Sequence, residues 1–143
     1  MQRVLGLVLA LFLCSAASGQ SLTYADLKAK NGVQLSADDL TQLLPGARVI
    51  SRTNAGSTRN WVNKPDGTLT AASDGRGSSG GRNSYGTGAG TWKTNDNGRW
   101  CVTIKWPNIA EEWCRVMFKV DNRYYGVGRL EDNAPASEFE ISR

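Results

Sequence analysis

The stretch GTWKTNDNGRWCVTIKWPNIAEEWCRVMFKV, Gly90 to Val120, decides how this chain folds. Its runs GTWKT, RWCVTIKW and EEWCRVMFKV are rich in β-branched and aromatic residues, the composition of strands. Between the first two stands NDNG, Asn95 to Gly98, and Asn-Gly favours a hairpin because both residues tolerate positive φ. WPNI, Trp106 to Ile109, turns the chain again, so each run returns on its neighbour. Three strands so joined form an antiparallel meander.

The same grammar extends in both directions. KPDG, Lys64 to Gly67, separates NWVN from TLTA, and KVDNRYY turns at Asp121-Asn122. From Arg48 onward at least six strands follow one another. ASEFEIS, in which Phe139 and Ile141 alternate with charges, reads as one more strand able to close a barrel. Upstream the pattern is helical. SLTYADLKAK spaces Leu22, Ala25 and Leu27 along one face. LSADDLTQLLPG offers Ser36 as N-cap, Asp38 and Asp39 in the first turn, a stripe of Leu40, Leu43 and Leu44, and a stop at Pro45-Gly46. This helix is expected to plug or flank the sheet. The fold class is therefore mainly β: an antiparallel up-and-down β-barrel, or a sandwich, with a short N-terminal helix and one disulfide.

Setting Cys101 opposite Cys114 places Val102 opposite Trp113 and Thr103 opposite Glu112. Trp100, Val102, Ile104 and Trp106 then share one strand face, whereas Val116, Phe118 and Val120 fall on the other, with the cysteines. Either both faces of the hairpin are partly buried or a bulge shifts the parity. A bulge near Pro107 is the favoured expectation.

Residues 1–19 have the three parts of a secretory signal: Arg3, an apolar run from Val4 to Leu13, and small residues from Ser15 to Gly19. Cleavage is expected between Gly19 and Gln20, with cleavage after Ala17 as the alternative. A lipoprotein would use Cys14, but Phe12 and Leu13 precede it where small residues are needed, so lipidation is not expected. The organisation is then a signal peptide at 1–19, a helical segment at 20–46, a β-domain at 47–130 and an acidic tail at 131–143. The expected location is periplasmic or secreted. Once Cys14 has left with the signal, Cys101 and Cys114 remain, and in an oxidising compartment an isolated pair is a disulfide by default.

Ser73 to Trp92, SDGRGSSGGRNSYGTGAGTW, contains a G-x-G-x-x-G match at Gly75, Gly77 and Gly80. A dinucleotide loop must open a helix, and here a β-like run follows; Gly81 stands where a Walker loop needs lysine. No cofactor is expected. The plain reading is a mobile connection between strands. The functional one is a contact patch formed by Arg76, Arg82 and Tyr85 at one end of the barrel. Charge favours an anionic partner: Pro45 to Leu130 holds 13 basic against 6 acidic residues. The expected partner is an anionic macromolecule or envelope component. Neither nucleic acid nor a membrane span is expected, and the chain should be a monomer.

With 0 histidines in the sequence, neither a Ser-His-Asp arrangement nor a common zinc site can form, and no metal is expected. Carboxylate pairs are the remaining catalytic route. Glu111 and Glu112 are adjacent on a strand and point to opposite faces. Asp66 and Asp96 sit in turns, and Asp74 alone lacks a structural role. A hydrolase built from Asp74 and one of the glutamates is the enzymatic alternative.

The succession LSADDLTQLLPGARV, NWVNKPDGTLTA, GTWKTNDNGRWCVTIKW, EEWCRVMFK and YYGV resembles the small exported bacterial proteins of the domain-of-unknown-function family numbered 995. The resemblance spans roughly residues 35 to 127; it implies an envelope or periplasmic location and supplies no catalytic residues. Gly90-Thr91-Trp92 also resembles the G-x-W of lipocalin-like barrels, whose tryptophan packs across the closed end. Lipocalins carry it on their first strand, so here the likeness implies architecture alone. The expected function is non-enzymatic: binding a macromolecule or ligand through the basic glycine-rich loop. The alternative is a carrier of a small apolar ligand in a barrel cavity lined by Trp61 and Trp92. A filled barrel is favoured over a hollow one, given so many bulky apolar residues.

Overall fold

The computed structural model describes residues 21–52, 56–74 and 85–143, with the backbone alone for Tyr85. The signal peptide and the glycine loop with Arg76 and Arg82 lie outside the described residues. In chain order the elements are α1 (Tyr24–Ala29), β1 (Val33–Gln34), α2 (Ala37–Leu43), β2 (Arg48–Arg52), β3 (Thr58–Asn63), β4 (Thr68–Asp74), β5 (Tyr85–Thr94), β6 (Arg99–Lys105), β7 (Ala110–Val120), β8 (Arg123–Val127) and β9 (Ala136–Ser142). Strands β2 to β9 each pair antiparallel with the next, and β9 pairs back onto β2, with Val49 opposite Ile141 and Ser51 opposite Phe139. The result is a closed eight-stranded up-and-down barrel. Short β1 adds to the edge of β7 beyond the start of β6.

Turn chemistry sets the registers. In the β5–β6 turn Gly98 adopts φ 68°, and the Asn95 side chain accepts from the Arg99 amide at 2.9 Å. In the β3–β4 turn Asp66 does the same for Thr68 at 2.9 Å. Asp121 takes φ 51° in the two-residue turn between Val120 and Arg123.

Alternation along the strands then fills the interior. Val49, Trp61, Leu69, Trp100, Val102, Ile104, Met117 and Phe139 form one core. Four rings meet at its waist, with Trp100 5.2 Å from Trp113, 5.3 Å from Phe139 and 6.0 Å from Trp61. Room for them comes from β5. A side chain at Gly90 would bring its Cβ within 1.8 Å of the Thr103 carbonyl oxygen, so β5 and β6 approach there in a way only glycine permits.

Cys101 and Cys114 are bonded, directly opposite each other, with Cα atoms 4.0 Å apart. The register runs unbroken from Arg99–Val116 to Lys105–Ala110, so the expected bulge near Pro107 is absent. The parity conflict is resolved the other way: both faces are buried. Val116, Phe118 and Val120 point outward with Tyr125, Val127 and Ala136, and α1 covers them with Leu27. The Tyr24 and Phe118 rings lie 5.5 Å apart. Backbone bonds from Tyr24 to Ala134 (2.9 Å) and Ala25 to Asp132 (3.1 Å) tie α1 to the β8–β9 connection, as does the Lys28–Asp132 ion pair at 2.5 Å.

Helix α2 closes one barrel end. Leu40 and Leu44 are fully buried in the same core as Trp61 and Trp100. Both helices start with a capping box, Thr23 with Asp26 and Ser36 with Asp39. Hydrogen bonds from the Ser36 hydroxyl and backbone hold the Asp39 carboxyl below its ordinary range. Because the folded value is depressed, this contribution is present above the ordinary carboxylate range and fades as pH falls through the folded value. Ser36→Ala should lower stability by about 1 kcal/mol, read as a small shift in a thermal or urea melt at neutral pH. An unchanged midpoint would mean that the cap does not hold α2 in place.

Candidate functional site

At the end away from α2, the barrel interior leaves a pocket of about 210 Å³, lined by Ser51, Arg52, Arg59, Trp61, Glu111, Trp113, Arg115, Ser137 and Phe139. Core parity explains the membership. Arg59 precedes Trp61 on β3, and Glu111, Trp113 and Arg115 alternate on β7, so these charged side chains point inward with the tryptophans. Strands β3 and β7 are not neighbours in the sheet, yet the Arg59 guanidinium bonds the Glu111 carboxylate. The ion pair is a strut across the lumen, its side chains only 24% and 18% exposed.

Each arginine lies over an indole. The Arg59 guanidinium carbon is 5.6 Å from the Trp106 ring centre, and that of Arg115 is 5.4 Å from Trp113. At these distances the ring quadrupole attracts the charge. Arg115 donates to the Gly126 carbonyl at a long 3.3 Å, and Gly126 is glycine because a Cβ there would lie 2.8 Å from Arg115 Cδ. Among the described residues, neither Arg59 Nε nor Arg115 Nε has a partner. Burial pushes the Arg115 guanidinium down from its ordinary value and the Glu111 charge acts against that; a guanidinium stays protonated in proteins regardless. The pocket therefore holds three cations, including exposed Arg52, against one carboxylate, over an aromatic floor. An excess of guanidinium charge is the kind of surroundings that suits an anion.

The sequence candidates fall in different places. Trp61 lines this pocket. Trp92 sits near the opposite end, its indole N–H donating to the Lys64 carbonyl at 2.8 Å in the β3–β4 turn. Asp74 and Tyr85, which bound the glycine loop, pair at the end of β4 and the start of β5. Asp74 does have a structural role, contrary to expectation: its carboxylate accepts from the Thr58 amide at 2.8 Å. It faces outward while Glu111 faces inward, and Glu112 lies three strands away, level with Thr68 rather than Asp74 on β4. Asp74 and Glu111 thus lie on opposite faces of the barrel wall. Among the described residues no group of His, Cys, Asp and Glu could hold a metal.

Sequence reasoning missed Arg59 and Arg115, and weighed Glu111 as a catalytic carboxylate without foreseeing its pairing with Arg59. The available signal was charge at core parity, since R-x-W-x-N and E-x-W-x-R-x-M place charges in step with inward-facing side chains. A larger concavity, about 710 Å³, lies against the outer face of β2 to β6 and the β6–β7 turn. It is shallow, and its charged members Arg48 and Lys105 have no counterpart that would shape a site.

No protein-family model matches the chain, and neither a curated protein nor a solved structure is significantly similar to it. What it shares with lipocalin-like proteins is the closed eight-stranded antiparallel barrel. Among the described residues no helix is long and apolar enough to cross a membrane, and the disulfide fits an oxidising, extracytoplasmic location.

Proposed function

We propose that the protein is an exported, non-enzymatic binding barrel that takes a small anionic ligand in the pocket between Arg59, Glu111 and Arg115. The observation that carries this reading is the convergence on a half-enclosed pocket inside the barrel of two guanidiniums near indole rings, each with an Nε unpartnered among the described residues. The planar fork of a guanidinium matches carboxylate or phosphate oxygens. Export is supported by the signal-like residues 1–19 and by the disulfide. An apolar cargo fits less well, because Trp100, Trp113, Trp61 and Phe139 fill the waist and the remaining space carries charge. Ligand pockets for drug-sized molecules run from about 300 to 1,000 Å³, so this one suits a smaller molecule. Kinship with the numbered family of small exported proteins would agree with this reading.

The test is calorimetric titration of the purified chain with small anions, comparing wild type with Arg115→Gln. Arg115 makes one long hydrogen bond, so glutamine should preserve the melting temperature. Anion affinity should fall ten- to hundredfold, the size of losing one charge-assisted hydrogen bond. Anion binding that survives in Arg115→Gln unaltered would sink the reading.

A further inference from the structure

The pocket already contains a carboxylate, that of Glu111. Building on the binding reading above, we infer that Glu111 is a tethered stand-in for the ligand, and that the natural ligand is a small aromatic carboxylate that displaces it from Arg59.

The strut itself displays the chemistry the site accepts. Arg59 spends one guanidinium nitrogen on Glu111, from a strand across the lumen, while its Nε goes unused among the described residues. Glu111 is also close enough to Arg115 to act on its charge. One carboxylate thus serves two guanidiniums and saturates neither. A second carboxylate entering the pocket would find donor edges unclaimed, and could take over Arg59 as Glu111 swings toward Arg115 or solvent. Such an exchange trades one charge-assisted pair for another, so the ligand need not create a buried, unpaired charge.

Size and lining set the rest of the molecule. Trp61, Trp113 and Phe139 form the apolar walls, with Trp61 and Phe139 edge-on at 82° and their centres 6.4 Å apart. A cavity of about 150 Å³ holds a benzene molecule. The 210 Å³ here admits one ring and its carboxylate. A single ring can lie against these indoles as they lie against one another.

The experiment uses benzoate as probe and benzyl alcohol as its uncharged counterpart, titrated into the full chain and followed by calorimetry and tryptophan fluorescence. Wild type should bind benzoate and discriminate against the alcohol. Glu111→Gln should bind benzoate about tenfold more tightly, because the internal competitor is gone, with no gain for the alcohol. If Glu111→Gln leaves Arg59 too exposed to fold, Glu111→Asp serves. Its shorter side chain slackens the strut and should tighten benzoate about threefold. Benzoate affinity that is unchanged or weaker in a folded Glu111 variant would overturn the competitor role, while leaving anion binding intact. Acetate or phosphate binding in an Arg115-dependent way, with benzoate excluded, would overturn the aromatic class. Absence of all anion binding in wild type would remove both this inference and the reading beneath it.

Discussion

The Trp100→Ala variant should unfold roughly 15 °C below the parent protein. Trp100 is 0% exposed and touches three other rings at the barrel waist. Truncating a buried tryptophan costs about 3–5 kcal/mol, from the lost transfer energy and the cavity left behind. Each ring pair adds about 0.5–1.5 kcal/mol beyond area. For a domain of this size 1 kcal/mol moves the melting temperature by about 4 °C. The Trp100 indole N–H has no partner among the described residues, so its removal orphans no acceptor and the loss is one of packing. Trp61 differs, because its N–H donates to fully buried Asn63 at 3.0 Å and truncation there would strand an amide as well. A shift under about 5 °C for Trp100→Ala, measured by calorimetry, would mean that the waist is not packed as described.

Replacing both cysteines with serine should cost about 3 kcal/mol, or a fall of roughly 12 °C. The two residues are 13 apart in sequence, and closing a loop near that length removes about this much chain entropy from the unfolded state. The bridge lies on the outer face of β6 and β7, away from the pocket, so anion affinity should be unaltered in the serine variant. Reduction with a thiol should reproduce the same shift in the parent. Equal melting temperatures in oxidised and reduced protein would show that the bridge contributes nothing.

The turns and the cysteine register were legible because their chemistry is local. Asn95, Gly98 and Asp66 each fix their turn with their own backbone or a hydrogen bond at most four residues away. Two strands that share such a turn need no distant information. The parity of Val116, Phe118 and Val120 was not legible, since it depends on Leu27 and Tyr24 arriving from far upstream to cover an outer face. A bulge was the cheaper local explanation, and a tertiary contact replaced it.

The pocket was hidden for the same reason. Taken singly, Arg59 and Arg115 carry no sequence motif, and Glu111 reads only as a candidate catalytic carboxylate. Only closure through β2 and β9 curves the sheet until β3 faces β7 across the lumen. Their alternation with Trp61 and Trp113 was visible in the sequence, but which face would become the inside was fixed by the closure, not by either strand.

The seam between β2 and β9 also dictates the order of assembly. As the chain emerges amino end first, every hairpin from β3 to β8 can zip up beside its neighbour while the ring is still a ribbon. Until Ala136–Ser142 arrives, the open hydrogen-bonding rims of β2 and β8 stay unmated, and an unmated rim recruits other chains. That seam joins segments about ninety positions apart, and contacts of such long sequence separation slow folding.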